Sequence, residues 1–321
     1  MKRALVLGAG GQDGSYLCDI LLERGYAVHG LVRHSSVDNL KRIRPLLKPS
    51  PEGITPITLH HGDVTDLLSL RQAINAAEPD EVYNMADQDN VGWSFANKLY
   101  QVDVTYKAVA GLLEYLIRWS KKVKLFQPVS ATMFGMAPPP QNENTPLDPR
   151  SPYAVAKAAV FHLCRHYRQD HGLHVNCGIM FNHDSPRRAE GYLLGKICKA
   201  ALSAEQNKPV NIPNSQLRVD VSYAKDCMSR VVDLMRMDES DDYCIGSGEG
   251  YAVEQMARHA LEEVGVGWDA ELAQETELNR GPQPTLIADL RKLNYAIAGP
   301  APRNAYDTIR ILLIHLKKEQ R

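Results

Sequence analysis

Short apolar runs alternate along this chain with segments of helical period. Arg3–Leu7 is an apolar run that ends in a glycine-rich turn, and the positions that follow, Tyr16, Leu17, Ile20, Leu21 and Leu22, repeat as one face of a helix up to Gly25. Further apolar runs at Ala27–Val32, Ile57–His60, Glu81–Ala86, Lys124–Val129 and His174–Phe181 predict five more strands. A helical pattern covers Leu67–Ala77, and apolar helices are expected over Val104–Trp119 and Pro152–Tyr167. Strands alternating with helices predict an α/β fold, a Rossmann-type doubly wound parallel sheet. Past Phe181 the alternation weakens into a charged loop, a helix to about Glu205 and Pro- and Asn-rich turns. The expected organisation is therefore a dinucleotide-binding domain over 1–181. A smaller C-terminal α/β substrate domain would occupy 182–321, with some later segments returning to the sheet.

Composition narrows the classes. The 321 residues are 44% hydrophobic, enough for a full core, and 37 Lys and Arg against 38 Asp and Glu leave no global field to attract nucleic acid or an anionic membrane. Any anionic ligand must be held locally. No apolar stretch approaches the roughly 18 residues of a membrane span, and the chain runs directly into a strand, so a cytoplasmic protein is expected. The six cysteines carry neither CxxC spacing nor a secretory signal, and buried free thiols, with no metal site, are the expected state.

The first turn carries Gly8, Gly11 and Gly14, which remove side chains where backbone must approach a pyrophosphate, with Gln12 and Asp13 beside them. The second strand ends not in an acidic residue but in Arg33, followed by Ser35 and Ser36, a set suited to the 2′-phosphate of NADP rather than the ribose hydroxyl of NAD. Asp63 and Val64 are placed to meet an adenine edge, and Ala86 to pass the middle of the cofactor. Tyr153 and Lys157 lie one helical turn apart, with Ser130 and Thr132 upstream. A tyrosine hydroxyl acts as acid and base near neutral pH only when its phenolate is stabilised, and the neighbouring ammonium supplies that charge.

These residues resemble the extended short-chain dehydrogenase/reductases. Gly11-Gln-Asp-Gly-Ser-Tyr-Leu17, Pro79-Asp-Glu-Val-Tyr-Asn84, Pro149-Arg-Ser-Pro-Tyr-Ala-Val-Ala-Lys157 and Phe181-Asn-His-Asp-Ser-Pro-Arg-Arg188 resemble the GDP-mannose 4,6-dehydratases in particular, over nearly the whole chain. The resemblance implies that Tyr153, Lys157 and Ser130 oxidise a sugar 4-hydroxyl, that His183 and Arg188 contact NADP, and that Asn182, Lys196 and Arg280 contact a sugar nucleotide.

 Gln88 and Arg218 stand as further candidate contacts to a GDP-linked sugar, and the resemblance implies that the chain forms a homodimer or homotetramer.

One departure changes the expected outcome. The dehydratases carry a glutamate where this chain has Thr132, and that carboxylate removes the sugar's 5-proton in the elimination of water. A threonine hydroxyl has no comparable basicity. The string Ser130-Ala-Thr-Met-Phe-Gly135 instead resembles UDP-galactose 4-epimerases, so net 4-epimerisation is the expected reaction. The alternatives are 4,6-dehydration with a base relocated to Asp89, Glu143 or Asp184, reduction of a GDP-4-keto-6-deoxy-hexose, and a non-catalytic NADP-sensing protein. Gln88-Asp89-Asn90, where a Ser and His would be expected, and Val219, where an Arg would be, also depart from the dehydratase pattern.

Overall fold

The computed structural model describes residues 1–49, 53, 55–189, 191–208, 212–214, 217–268, 273–275 and 284–320. The chain divides into two compact units. The first comprises 1–133, 147–180 and 228–243, and the second 134–146, 181–227 and 244–321.

In the first unit β1 (Arg3–Leu7), α1 (Gln12–Glu23), β2 (Ala27–Val32), β3 (Ile57–His61), α2 (Leu67–Ala77) and β4 (Glu81–Asn84) follow one another as the periodicity predicts. Two short helices, α3 (Val91–Ser94) and α4 (Lys98–Gln101), lead through a π-helical stretch, Val102–Lys107, into α5 (Ala108–Leu116). Then come β5 (Lys124–Ser130), α6 (Pro152–His171) and β6 (Val175–Met180). Counting from one edge, the sheet order is β3-β2-β1-β4-β5-β6, followed by a seventh strand, Asp242–Ile245. The pairs from β3 through to β6 are all parallel. Such strands are covered on both faces by crossover helices, which is why β4 and β6 are buried at every position.

The order reverses between β1 and β4, since the chain leaves β1 towards β2 on one side and returns to β4 on the other. Loops at the carboxyl ends of those two strands therefore diverge and leave a crevice. The strand predicted over Glu81–Ala86 ends at Asn84, because the backbone after it turns away to line that crevice.

The second unit holds β7 (Asn182–Asp184), α7 (Leu193–Glu205), β8 (Ile212–Asn214), β9 (Arg218–Tyr223) and the start of α8 (Ala224–Leu234). After β10, the strand Asp242–Ile245, come β11 (Gly250–Ala252), α9 (Val253–Glu263), β12 (Ala273–Glu275), α10 (Arg291–Ala296) and α11 (Ala305–Glu319). A three-stranded sheet runs β11-β9-β7 and a two-stranded one pairs β12 with β8. Leu194, Ile197 and Leu202 of α7, Met256 and Leu261 of α9, and Ile309 and Leu312 of α11 form its core with Val219 and Val221 of β9. Among the described residues no helix is long and apolar enough to cross a membrane.

Candidate active site

The glycine turn after β1 is shaped by contacts that exclude side chains. Gly8 has φ +78°, and a Cβ there would lie 2.8 Å from Met85 O. A Cβ on Gly14 would lie 2.3 Å from Gly8 O, so α1 can cross β1 only with glycine at that position. Gly11 caps α1 without a side-chain hydrogen bond, and the helix presents its first backbone N–H groups and positive dipole end at the turn. Gln12 is buried in that first turn, and its amide donates to Asp13 Oδ1 at 3.0 Å.

The crevice is lined by Gly8, Gly10 and Gly11, by Arg33, Asn39 and Arg42 beyond β2, by Asp63 and Val64 beyond β3, and by Ala86 and Asp87 beyond β4. Arg42 donates to Gly10 O at 3.1 Å and Arg33 to the Tyr100 hydroxyl at 3.3 Å. Two guanidiniums thus stand on one side of a crevice whose floor is glycine backbone. That donor set fits a dinucleotide, with cationic groups available to a phosphate near β2. Ser35 and Ser36 are exposed in the same turn, and Ser35 Oγ accepts from Val37 N at 3.2 Å. Arg42 escaped the sequence reading because it lies ten positions past the strand, in a segment without period.

Tyr153 and Lys157 sit in the first two turns of α6, whose amino terminus is capped by Ser151 accepting from Ala154 N and opened by Pro152. Both are buried, at 8% and 3% exposure. Lys157 Nζ lies 5.7 Å from the centre of the Tyr153 ring. Burial raises the Tyr153 pKa; Lys157 and a hydrogen bond with Ser130 lower it, while the charges of Asp87 and Asp89 raise it again, for a net upward shift. Burial acts to lower the Lys157 pKa, but the charge and hydrogen bond of Asp87, with Tyr153 and Asp89, together hold it above its ordinary value. Thr132 Oγ1 donates to Ser130 Oγ at 2.9 Å, so the two hydroxyls form one cluster at the end of β5.

Asp87, which the sequence reading passed over, makes the closest charged contact in the site. Its Oδ2 lies 2.5 Å from Lys157 Nζ, while Oδ1 accepts from Gln88 N at 2.7 Å and from the Thr105 hydroxyl. Gln88 donates through Nε2 to Gln101 Oε1 at 2.6 Å, and Gln101 donates to Thr105 Oγ1 at 2.6 Å. Gln101 ends α4 and Thr105 lies within the π-helical stretch that follows, a local widening that often marks functional segments. The only sequence signal was adjacency to Ala86.

The remaining candidates belong to the second unit. Asn182 is exposed on β7, and His183 Nδ1 is 2.8 Å from Phe181 O. Arg188 stacks on Tyr192, its guanidinium carbon 3.7 Å from the ring centre. Lys196 is exposed on α7, and Arg218 is exposed on β9 with its guanidinium donating to Gly250 O at 2.8 Å. Val219, next along β9, points to the other face and is buried. Arg280 lies outside the described residues. Of the three carboxylates considered as relocated bases, Glu143 is buried and accepts from Cys244 N at 2.7 Å. Asp184 is buried and accepts from Ser185 N at 2.7 Å, burial raising its pKa. Asp89 is exposed, and its charge reaches Tyr153. Among the described residues no cluster of His, Cys, Asp or Glu is placed to hold a metal ion.

The family model for GDP-mannose 4,6 dehydratase matches residues 5–293. GDP-mannose 4,6 dehydratase 2 of Arabidopsis thaliana is 39% identical over 274 residues, which cover 83% of this chain and 74% of that protein. Among solved structures, a dTDP-glucose 4,6-dehydratase from Bacillus anthracis in complex with NAD superposes with a TM-score of 0.84 at 16% identity, covering 100% of this chain and 98% of that one. A UDP-glucose 4-epimerase from Thermotoga maritima with UDP-glucose gives 0.83 at 20% identity, covering 99% of each chain.

Proposed function

The chain belongs to the GDP-mannose 4,6-dehydratase family of nicotinamide-dependent nucleotide-sugar enzymes, and from that premise we propose that it oxidises the 4-hydroxyl of a GDP-linked hexose and returns the hydride to give the 4-epimer. The observation that carries the outcome is Thr132: the end of β5 offers two hydroxyls, Ser130 and Thr132, and no carboxylate.

When bound, the nicotinamide supplies hydride acceptance and return. The protein's part is proton transfer and positioning. Tyr153 takes the proton of the sugar hydroxyl and gives it back, Ser130 and Thr132 hydrogen-bond the same oxygen, and Lys157 holds positive charge beside the phenolate. Gly8, Gly11 and Gly14 admit the pyrophosphate, with Gln12 and Asp13 beside it, and Asp63, Val64 and Ala86 line its path. Arg33 and Arg42, with Ser35 and Ser36, favour NADP over NAD, since two guanidiniums face a 2′-phosphate better than a hydroxyl. His183 and Arg188 are further cofactor contacts, and Gln88, Asn182, Lys196, Arg218 and Arg280 serve the sugar nucleotide. Six buried free thiols support a cytoplasmic location.

A second reading, 4,6-dehydration, is favoured by Asp89, the relocated-base candidate whose charge Tyr153 senses. One experiment separates the two: purified protein incubated with GDP-mannose without added cofactor, followed by identification of the products and of the dinucleotide released by acid. An isomeric hexose with NADP released is expected. A 4-keto-6-deoxy product establishes dehydration instead, turnover only on adding NADPH and a keto sugar establishes a reductase, and no turnover by any route leaves the sensing protein.

A further inference from the structure

We propose that Asp87 is a positioning residue for the Tyr153–Lys157 pair: its carboxylate holds the lysine ammonium for itself and so sets the pH at which the tyrosine can act as a base. The geometry is specific. Lys157 Nζ has three donors, and two are engaged, one by Asp87 Oδ2 at 2.5 Å and one by Pro128 O at 3.0 Å. The side chains of Lys157 and Asp87 are 4% and 14% exposed, so water screens their contact little. Asp87 cannot swing aside freely, because Thr105 and the Gln88 backbone N–H fix its other oxygen.

The groups that act on the tyrosine are few. Lys157 comes from α6, Asp87 and Asp89 from the turn after β4, and Ser130 from the end of β5. Two carboxylates against one ammonium leave this set with a net charge of 1 − 2 = −1, which disfavours a phenolate. An ammonium with no carboxylate on it would serve the phenolate fully; here the charges of Asp87 and Asp89 act against it. Burial first, and these carboxylates with it, keep Tyr153 as a hydroxyl, ready to donate a proton to a keto oxygen and acting as a base only at higher pH.

The part of the test that reads turnover rests on the proposed 4-oxidation; the part that reads tyrosine ionisation does not. The ultraviolet absorbance of tyrosinate is titrated in the wild type, Asp87→Asn and Asp87→Glu proteins, each with a Tyr153→Phe counterpart subtracted to isolate this one ring, and the pH profile of turnover is recorded alongside. In D87N, both the ionisation of Tyr153 and the rising limb of the profile should move to lower pH, and in D87E both should return towards the wild type. A D87N titration that superimposes on the wild type, or moves to higher pH, overturns the proposal. Asp87→Ser is the second neutral variant should D87N fail to fold. Turnover that survives Y153F overturns the 4-oxidation reading, and the tyrosinate titration then still decides the role of Asp87.

Discussion

Thr132 decides more about the reaction than any other residue. Its hydroxyl donates to Ser130 Oγ, and its backbone N–H reaches the same oxygen at 3.2 Å, so the position is built to orient Ser130 rather than to accept a proton from carbon. A carboxylate there would sit at the end of β5, in a partly exposed position with room for charge. Thr132→Glu is therefore expected to convert part of the turnover of GDP-mannose into a 4-keto-6-deoxy product, at a rate about a hundredfold above the unsubstituted enzyme, the low end of what a positioned base contributes. Product analysis by mass spectrometry, reading the loss of water, checks it. Legibility at this scale follows sequence distance. Tyr153 and Lys157 could be paired from spacing alone, because i and i+4 on a helix are neighbours wherever the helix lies. Asp87 and Lys157 meet only through the sheet, 70 positions apart, and no local pattern announces that contact.

At the scale of elements, α6 carries the reacting pair and its placement depends on its first turn. Ser151 Oγ accepts from Ala154 N at 3.1 Å, and Tyr153 N donates to Ser94 Oγ at 3.3 Å, tying the helix start to α3. Ser151→Ala removes the cap and should cost about 1 kcal/mol of stability, read as a lower denaturant midpoint with an unchanged slope. The alternation of apolar runs and helical periods foretold β1 to β6 because parallel strands are buried on both faces and read as continuous apolar segments. It did not foretell the π-helical turn at Val102–Lys107, which is one extra residue in a helix and leaves the period almost unchanged. Nor did it foretell β7 and β11, three residues each, too short for a period of two to register.

For the molecule as a whole, near-zero net charge hides a set of histidines that fold in the neutral form. His29 and His60 stack across β2 and β3 with ring centres 5.2 Å apart and Nδ1 to Nε2 at 3.0 Å, and burial lowers the pKa of both. His174 is lowered to about 4, by burial first and then by the positive charges of Lys124 and Arg168. In the unfolded chain these groups take up protons near pH ~6.5. Between that value and about pH 4 the unfolded state consequently binds more protons than the folded one, so stability falls as pH drops through this window. Asp184 and Asp220, raised by burial, act in the opposite sense, because they favour the protonated form in the folded state. A comparison of variants therefore isolates the histidine contribution where a single curve would not. His174→Asn should flatten the decline in urea midpoint between neutral pH and about pH 5 relative to the parent, and parallel curves for the two proteins would show that His174 titrates alike in both states.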